Sequence, residues 1–139
     1  MPDKVSKETR HNIMKSIKST HSKIENIVTK SLWHKGIRFR RNVKDLPGKP
    51  DIAIKKYKIV IFIDSCFWHG CELHCKLPKS NIAYWKKKIE SNMQRDMIIN
   101  KYYSENGWNI MRAWEHQLKD NLPETILSIY NFIINAKNA

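Results

Sequence analysis

Apolar and polar positions alternate along this chain with two different periods. Over 23–35, Ile24, Ile27, Val28 and Leu32 follow helical spacing, and Gly36 stands where such a helix should stop. Ser22 and Glu25, three residues apart, have the form of a capping box at its start. The period then shortens to two: Ile37-Arg38-Phe39-Arg40-Arg41-Asn42-Val43 reads as a strand with one polar face. Pro47, Gly48 and Pro50 break the chain before Asp51-Ile52-Ala53-Ile54. The polar Lys55–Lys58 then leads into Ile59-Val60-Ile61-Phe62-Ile63, which is apolar on both faces as a central strand should be. A long helix from Asn81 to about Asn106 is predicted to bury Ile82, Trp85, Ile89 and Met93. Asp96 follows Ile89 by seven residues and shares that inner face, and Gly107 ends the helix. Trp108–Trp114 is the last strand. Pro123 opens a C-terminal helix with Ile126, Ile129, Tyr130 and Ile133 in one stripe. Residues 6–17 are a further short basic helix.

Helices before, between and after strands predict an α/β fold, a mixed central sheet flanked by helices. The 139 residues fit a single domain with a real core. No apolar run approaches the ~18 residues of a membrane helix, and MPDKVSKETR is no signal peptide. Charge narrows the partner. Twenty-six Lys and Arg against thirteen Asp and Glu leave +13, an excess that favours a polyanion, most simply nucleic acid, over a merely solvated basic surface.

All three cysteines fall within ten residues, in Cys66-Phe67-Trp68-His69-Gly70-Cys71-Glu72-Leu73-His74-Cys75. An odd, clustered set beside histidines argues against disulfides and for a metal in a reducing cytoplasm. Cys66, Cys71 and His74 are suited to Zn²⁺, with His116 beyond the last strand as the fourth ligand. Cys75 can replace His74 or His116. Four protein ligands close the shell, which describes a structural zinc; the alternative is a set of reduced, partly buried thiols. The metal would then be scaffolding, pinning the loop that carries Phe67, Trp68 and His69. Two adjacent aromatics on a basic protein can wedge between base pairs, though rings of this size are also common in cores.

Carboxylates supply the other candidate chemistry. Asp51 opens a strand after Pro47-Gly48-Lys49-Pro50, and Asp64 ends the next one, so pairing of the two strands can bring both acids to one Mg²⁺ site. Asp51 after a proline is also an ordinary turn. Asp96 among Trp85 and Ile89 requires a cation or His69 as partner, because burying a lone carboxylate is costly. Glu25 is accounted for by its cap, a role compatible with a functional one. His11, His21 and His34 read as surface residues.

Together, PGKPD, CFWHGC, NMQRD, and the GW and WE near the last strand resemble the very short patch repair (Vsr) endonucleases along nearly the whole chain. The resemblance implies a fold similar to the PD-(D/E)xK restriction nucleases. It implies a Mg²⁺-dependent nick 5′ of the thymine in a T·G mispair left by deamination of 5-methylcytosine, which starts short-patch repair. The enzyme would act as a monomer in a bacterial cytoplasm, linked to a cytosine-5 methyltransferase and a repair polymerase. By the same likeness Asp51 and the Ile63 carbonyl hold Mg²⁺, and His69 is the general base with Asp96 as its partner. Glu25 lies near the active site. Phe67, Trp68 and Trp85 enter the duplex; Cys66, Cys71 and His74 belong to the zinc site; residues 1–20 contact DNA.

Two departures from the family pattern stand out. Position 64 varies in the family between acid and histidine, which leaves Asp64's role open. Trp114-Glu115-His116 replaces a frequent WEC. The sequence-level alternatives are a restriction-type endonuclease on matched DNA and a zinc-stabilised DNA-binding protein without catalysis.

Overall fold

The computed structural model describes residues 23–65 and 81–138. The expected helix over 6–17, the segment 1–20 expected to contact DNA, the expected Ser22 cap and the cluster Cys66–Cys75 lie outside them.

Residues 23–34 form helix α1. It buries Ile24, Val28 and Leu32, spaced four apart, whereas Ile27 is exposed. At about 100° per residue Ile27 lies roughly 100° from the centre of that stripe, so spacing from Ile24 alone misplaces it. Two bonds close the helix, Gly36 N–H to the Trp33 carbonyl and Ile37 N–H to the Leu32 carbonyl, the Schellman arrangement.

Strand β1 (Arg40–Arg41) is shorter than the expected 37–43. Asn42 takes a positive φ of 50°, which turns the chain, although Asn42 and Val43 still donate to the carbonyls of Asp51 and Pro50. Strand β2 (Ile52–Ile54) and strand β3 (Ile59–Asp64) follow as predicted, and the polar link between them forms a 3-10 turn (Lys55–Tyr57). Helix α2 (Ile82–Glu105) then crosses to strand β4 (Asn109–Trp114). Gly107, with φ of 74°, supplies the left-handed step after α2 that lets Trp108 N–H reach the Tyr103 carbonyl at 3.0 Å. Helix α3 (Glu115–Asp120) was not predicted: six residues are too few for periodicity to register. Helix α4 (Leu122–Lys137) starts at the expected proline and buries Ile126, Ile129 and Ile133.

The sheet is mixed, in the order β1-β2-β3-β4, with β1–β2 and β2–β3 antiparallel and β3–β4 parallel. Every residue of β3 is buried, because side chains of alternating direction meet a core on each face. Ile59, Ile61 and Ile63 pack with α1, α3 and α4 residues such as Val28, Leu118 and Ile129. Val60 and Phe62 pack on the opposite face with Ile99 and Tyr103 of α2. Asp64 continues this second series, so its carboxylate belongs to the α2 side of the sheet.

On α2, Trp85 and Ile89 are buried as expected, but Ile82 and Met93 are exposed. Met93 sits on the flank of a stripe centred on Trp85, Ile89, Ile99 and Tyr103, and Ile82 opens the helix a turn ahead of its first buried residue. Among the described residues no helix is long and apolar enough to cross a membrane.

Candidate active site

The turn Leu46-Pro47-Gly48-Lys49 closes with a bond from Lys49 N–H to the Leu46 carbonyl at 3.1 Å. Pro at its second position and Gly48 at its third, with φ of 77°, are the residues a type II turn favours there. The buried Tyr103 of α2 anchors the same turn by donating its hydroxyl to the Pro47 carbonyl at 2.6 Å. Burial pushes the Tyr103 hydroxyl pKa up to about 12, with the neighbouring Tyr102 adding to the rise. The turn is thus fixed to the helix above it immediately before Asp51.

Asp51 receives the backbone N–H of Ile63 on its Oδ2 at 2.7 Å. The pairing of Ile52 with Ile61, continued by two residues along β3, sets Pro50 opposite Ile63. An ordinary ladder would have these two residues exchange both of their bonds. Neither exchange is available in the usual way: the Pro50 carbonyl already accepts from Val43, and Pro50 has no N–H to donate. Asp51 therefore takes the Ile63 donor, while the Ile63 carbonyl, on the same edge, receives nothing from Pro50. A carboxylate and a backbone carbonyl thus lie along one edge at the end of the ladder. Two hard oxygen donors with room for water fit a Mg²⁺ ion.

A cavity of about 770 Å³ opens at this point, lined by Asp51, Asp64 and Asp96 together with Phe62, Ile63 and Asn92. These three acids are buried or half-buried, whereas Lys44, Lys49 and Arg95 line the same cavity and are exposed. Acid within and cations at the margin suit a polyanion whose backbone meets a divalent ion. Asp45, also at the margin, is paired with Lys55, which holds its carboxyl below the usual range.

Arg112 of β4 was not singled out in the sequence, yet it organises the acidic wall. It stands in register with Phe62 and lies over that ring at 4.3 Å. Its Nη1 is 3.0 and 3.1 Å from the two oxygens of Asp64 and 3.5 Å from Asp96. Its Nε donates to Asn100 of α2 at 2.6 Å. The half-buried Asp96 therefore has the cationic partner that its position demands, and Asp64 is already neutralised. Two opposite charges on strands otherwise largely apolar in sequence were the signal that could have revealed this pair.

The other candidates fall elsewhere. Glu25 is buried on α1 with Arg41 at 3.5 Å, and it does not line the cavity. Trp85 is 0% exposed, a core position in this state, so the ring would have to leave the interior to enter a duplex. His116 lies in the first turn of α3 with its ring stacked on Trp114. Phe67, Trp68, His69, Cys66, Cys71, His74 and Cys75 are outside the described residues. Among the described residues no cluster of His, Cys, Asp and Glu could hold a metal by side chains alone.

Comparison with known proteins gives a consistent result. Residues 2–76 match the family model described as DNA mismatch endonuclease Vsr. The chain is 41% identical to the type II nicking enzyme V.HpaIIP of Haemophilus parainfluenzae, over 94% of this chain and 95% of that one. It is 38% identical to the type II nicking enzyme V.XorIIP of Xanthomonas oryzae pv. oryzae, over 86% and 89%. It is 34% identical to the DNA mismatch endonuclease Vsr of Escherichia coli K12, over 86% and 77%.

Proposed function

Since this chain belongs to the Vsr family of DNA endonucleases, we propose that it nicks one strand of a duplex at a T·G mispair, 5′ of the thymine. The observation that carries this reading is the Asp51–Ile63 contact at the floor of an acid-lined cavity with a cationic margin. A single-strand nick is favoured over restriction-type cleavage because relatives across nearly the whole chain are named nicking enzymes. A mismatched substrate is supported by the Escherichia coli relative, a DNA mismatch endonuclease, and the T·G pair by the motif resemblance.

Asp51 and the Ile63 carbonyl would hold Mg²⁺, which supplies charge neutralisation at the scissile phosphate. His69 takes the proton of the attacking water, and Asp96 orients that imidazole and stabilises its charged form. Lys44, Lys49 and Arg95 bind phosphates without regard to sequence. Phe67 and Trp68 enter the duplex where a wobble pair parts most readily. Cys66, Cys71, His74 and His116 would hold a structural Zn²⁺, a full set of four that leaves no open position and takes no part in the reaction. A monomer suffices for a single nick, and the mispair ties the activity to a cytosine-5 methyltransferase.

The test is Mg²⁺-dependent cleavage of three substrates: a T·G duplex, the matched duplex and a supercoiled plasmid without mispairs. Nicking confined to the T·G duplex is expected. Cutting of both strands of the matched plasmid would replace this reading with the restriction-type one, and DNA binding without cleavage would replace it with a non-catalytic role.

A further inference from the structure

We propose that Arg112 is a positioning residue for this site: it holds the Asp96 carboxylate in place, and Asp64 serves as its anchor rather than as a metal ligand. This rests on the nuclease reading above but goes beyond it.

Asp64 and Asp96 both line the cavity, whereas Arg112 does not. Substrate in the cavity would therefore meet the carboxylates, and the guanidinium would act through them. Arg112 reaches Asp96 from a fixed base. Its Nη1 is shared between both Asp64 oxygens, its Nε is held by Asn100, and its plane is covered by Phe62. These contacts come from three elements: β3 supplies Asp64 and Phe62, α2 supplies Asn100 and Asp96, and β4 carries Arg112 itself. A guanidinium gripped on three sides loses little further freedom when it orients a fourth group. Asp64 is 3% exposed, with both oxygens on one cation. A second cation on that carboxylate would compete directly with Arg112. Asp51 differs in what it is seen to hold: its Oδ2 accepts the neutral N–H of Ile63 at 2.7 Å. The three acids therefore divide into one that is suited to Mg²⁺, one that orients the base and one that anchors the arginine.

A double-mutant cycle on single-turnover nicking tests this, with Arg112→Met and Asp96→Asn alone and together. Arg112→Met alone should lower the rate about 10–100-fold, the range for groups that orient a site's reacting residues, and leave the KM for DNA unchanged. Combined with Asp96→Asn it should add almost nothing. Because Arg112→Met removes the cation that both oxygens of buried Asp64 share, the cycle is repeated in an Asp64→Asn background, where both of these charges are absent. Additive losses would overturn the proposal. So would an Asp64→Asn protein that needs a higher Mg²⁺ concentration than wild type for half-maximal nicking. A crystal structure of the Asp64→Asn, Arg112→Met protein gives a readout independent of activity. The Asp96 carboxylate is expected to leave its position, and an unmoved carboxylate would refute the role even if the wild-type chain cleaved no DNA, an outcome that would separately sink the nuclease reading.

Discussion

Tyr103 of the long helix donates its hydroxyl to the carbonyl of Pro47, fixing the turn that precedes Asp51 to the element that carries Asp96. The two acids most directly tied to the proposed reaction are thus placed by one rigid frame. Replacing Tyr103 with Phe removes the donor and leaves the Pro47 carbonyl short of a partner, at a cost of about 1–3 kcal/mol in a denaturant melt. Nicking should fall with it, because the turn positions Asp51.

The same residue makes a pH prediction. In the folded protein Tyr103 stays protonated up to about pH 12, while in the unfolded chain it ionises near its ordinary value of 10. A raised pKa on an acid means that its contribution is complete below pH 10. The contribution then declines as pH rises towards 12, by about 1.4 kcal/mol per unit at most. Melts of the wild type and Tyr103→Phe should show a gap that narrows over that interval. A gap of constant width would contradict the burial argument.

Gly48 tests the packing of the turn. A Cβ there would stand 2.8 Å from Ile99 Cδ1 and 3.1 Å from Phe62, at a φ of 77° that side chains other than hydrogen rarely adopt. Gly48→Ala should destabilise by about 1–3 kcal/mol through overpacking and backbone strain together. A neutral substitution would mean that the turn is not held as described.

Trp85 separates a core role from entry into DNA. Its full burial predicts that Trp85→Ala loses about 3–5 kcal/mol of stability, well beyond the effect of a surface aromatic. An unchanged melting temperature together with weakened T·G binding would favour the intercalating role.

Salt dependence tests the cationic margin. Lys49→Ala and Arg95→Ala should each reduce the slope of log binding constant against log salt by about one, uniformly across DNA sequences. A slope that does not change for either would place the phosphates elsewhere.

Much of this frame was legible in the chain itself. The five apolar residues of Ile59–Ile63 required a strand covered on both faces, and the structure covers them with α1 and α4 on one side and α2 on the other. Gly107 and Pro123 marked one helix end and one helix start because each has a backbone requirement of its own. Asp96 was recognisably an acid on the inward face of its helix that needed a partner, and it is half-buried. The partner was not legible, because Arg112 meets Asp64 and Asp96 only through the parallel pairing of β3 with β4, which lie forty-five residues apart in the chain. Exposure on α2 was misjudged at Ile82 and Met93 for a related reason: periodicity gives the angle of a face but not the width of what covers it. The end of β1 at Arg41 turned on a single left-handed residue, Asn42, which alternation does not reveal.

The central claim is that the DNA backbone is broken at the Asp51–Ile63 edge of the acid-lined cavity. Single-turnover nicking of a T·G duplex by wild type and Asp51→Asn, both confirmed folded by circular dichroism, tests it most directly. Asn keeps an oxygen that can accept the Ile63 N–H but removes the charge that a cation requires. Loss of nicking with the fold intact is the predicted result; a rate within about twofold of wild type, well inside the 10²–10⁴ expected for loss of a group that takes part in the reaction, would contradict it.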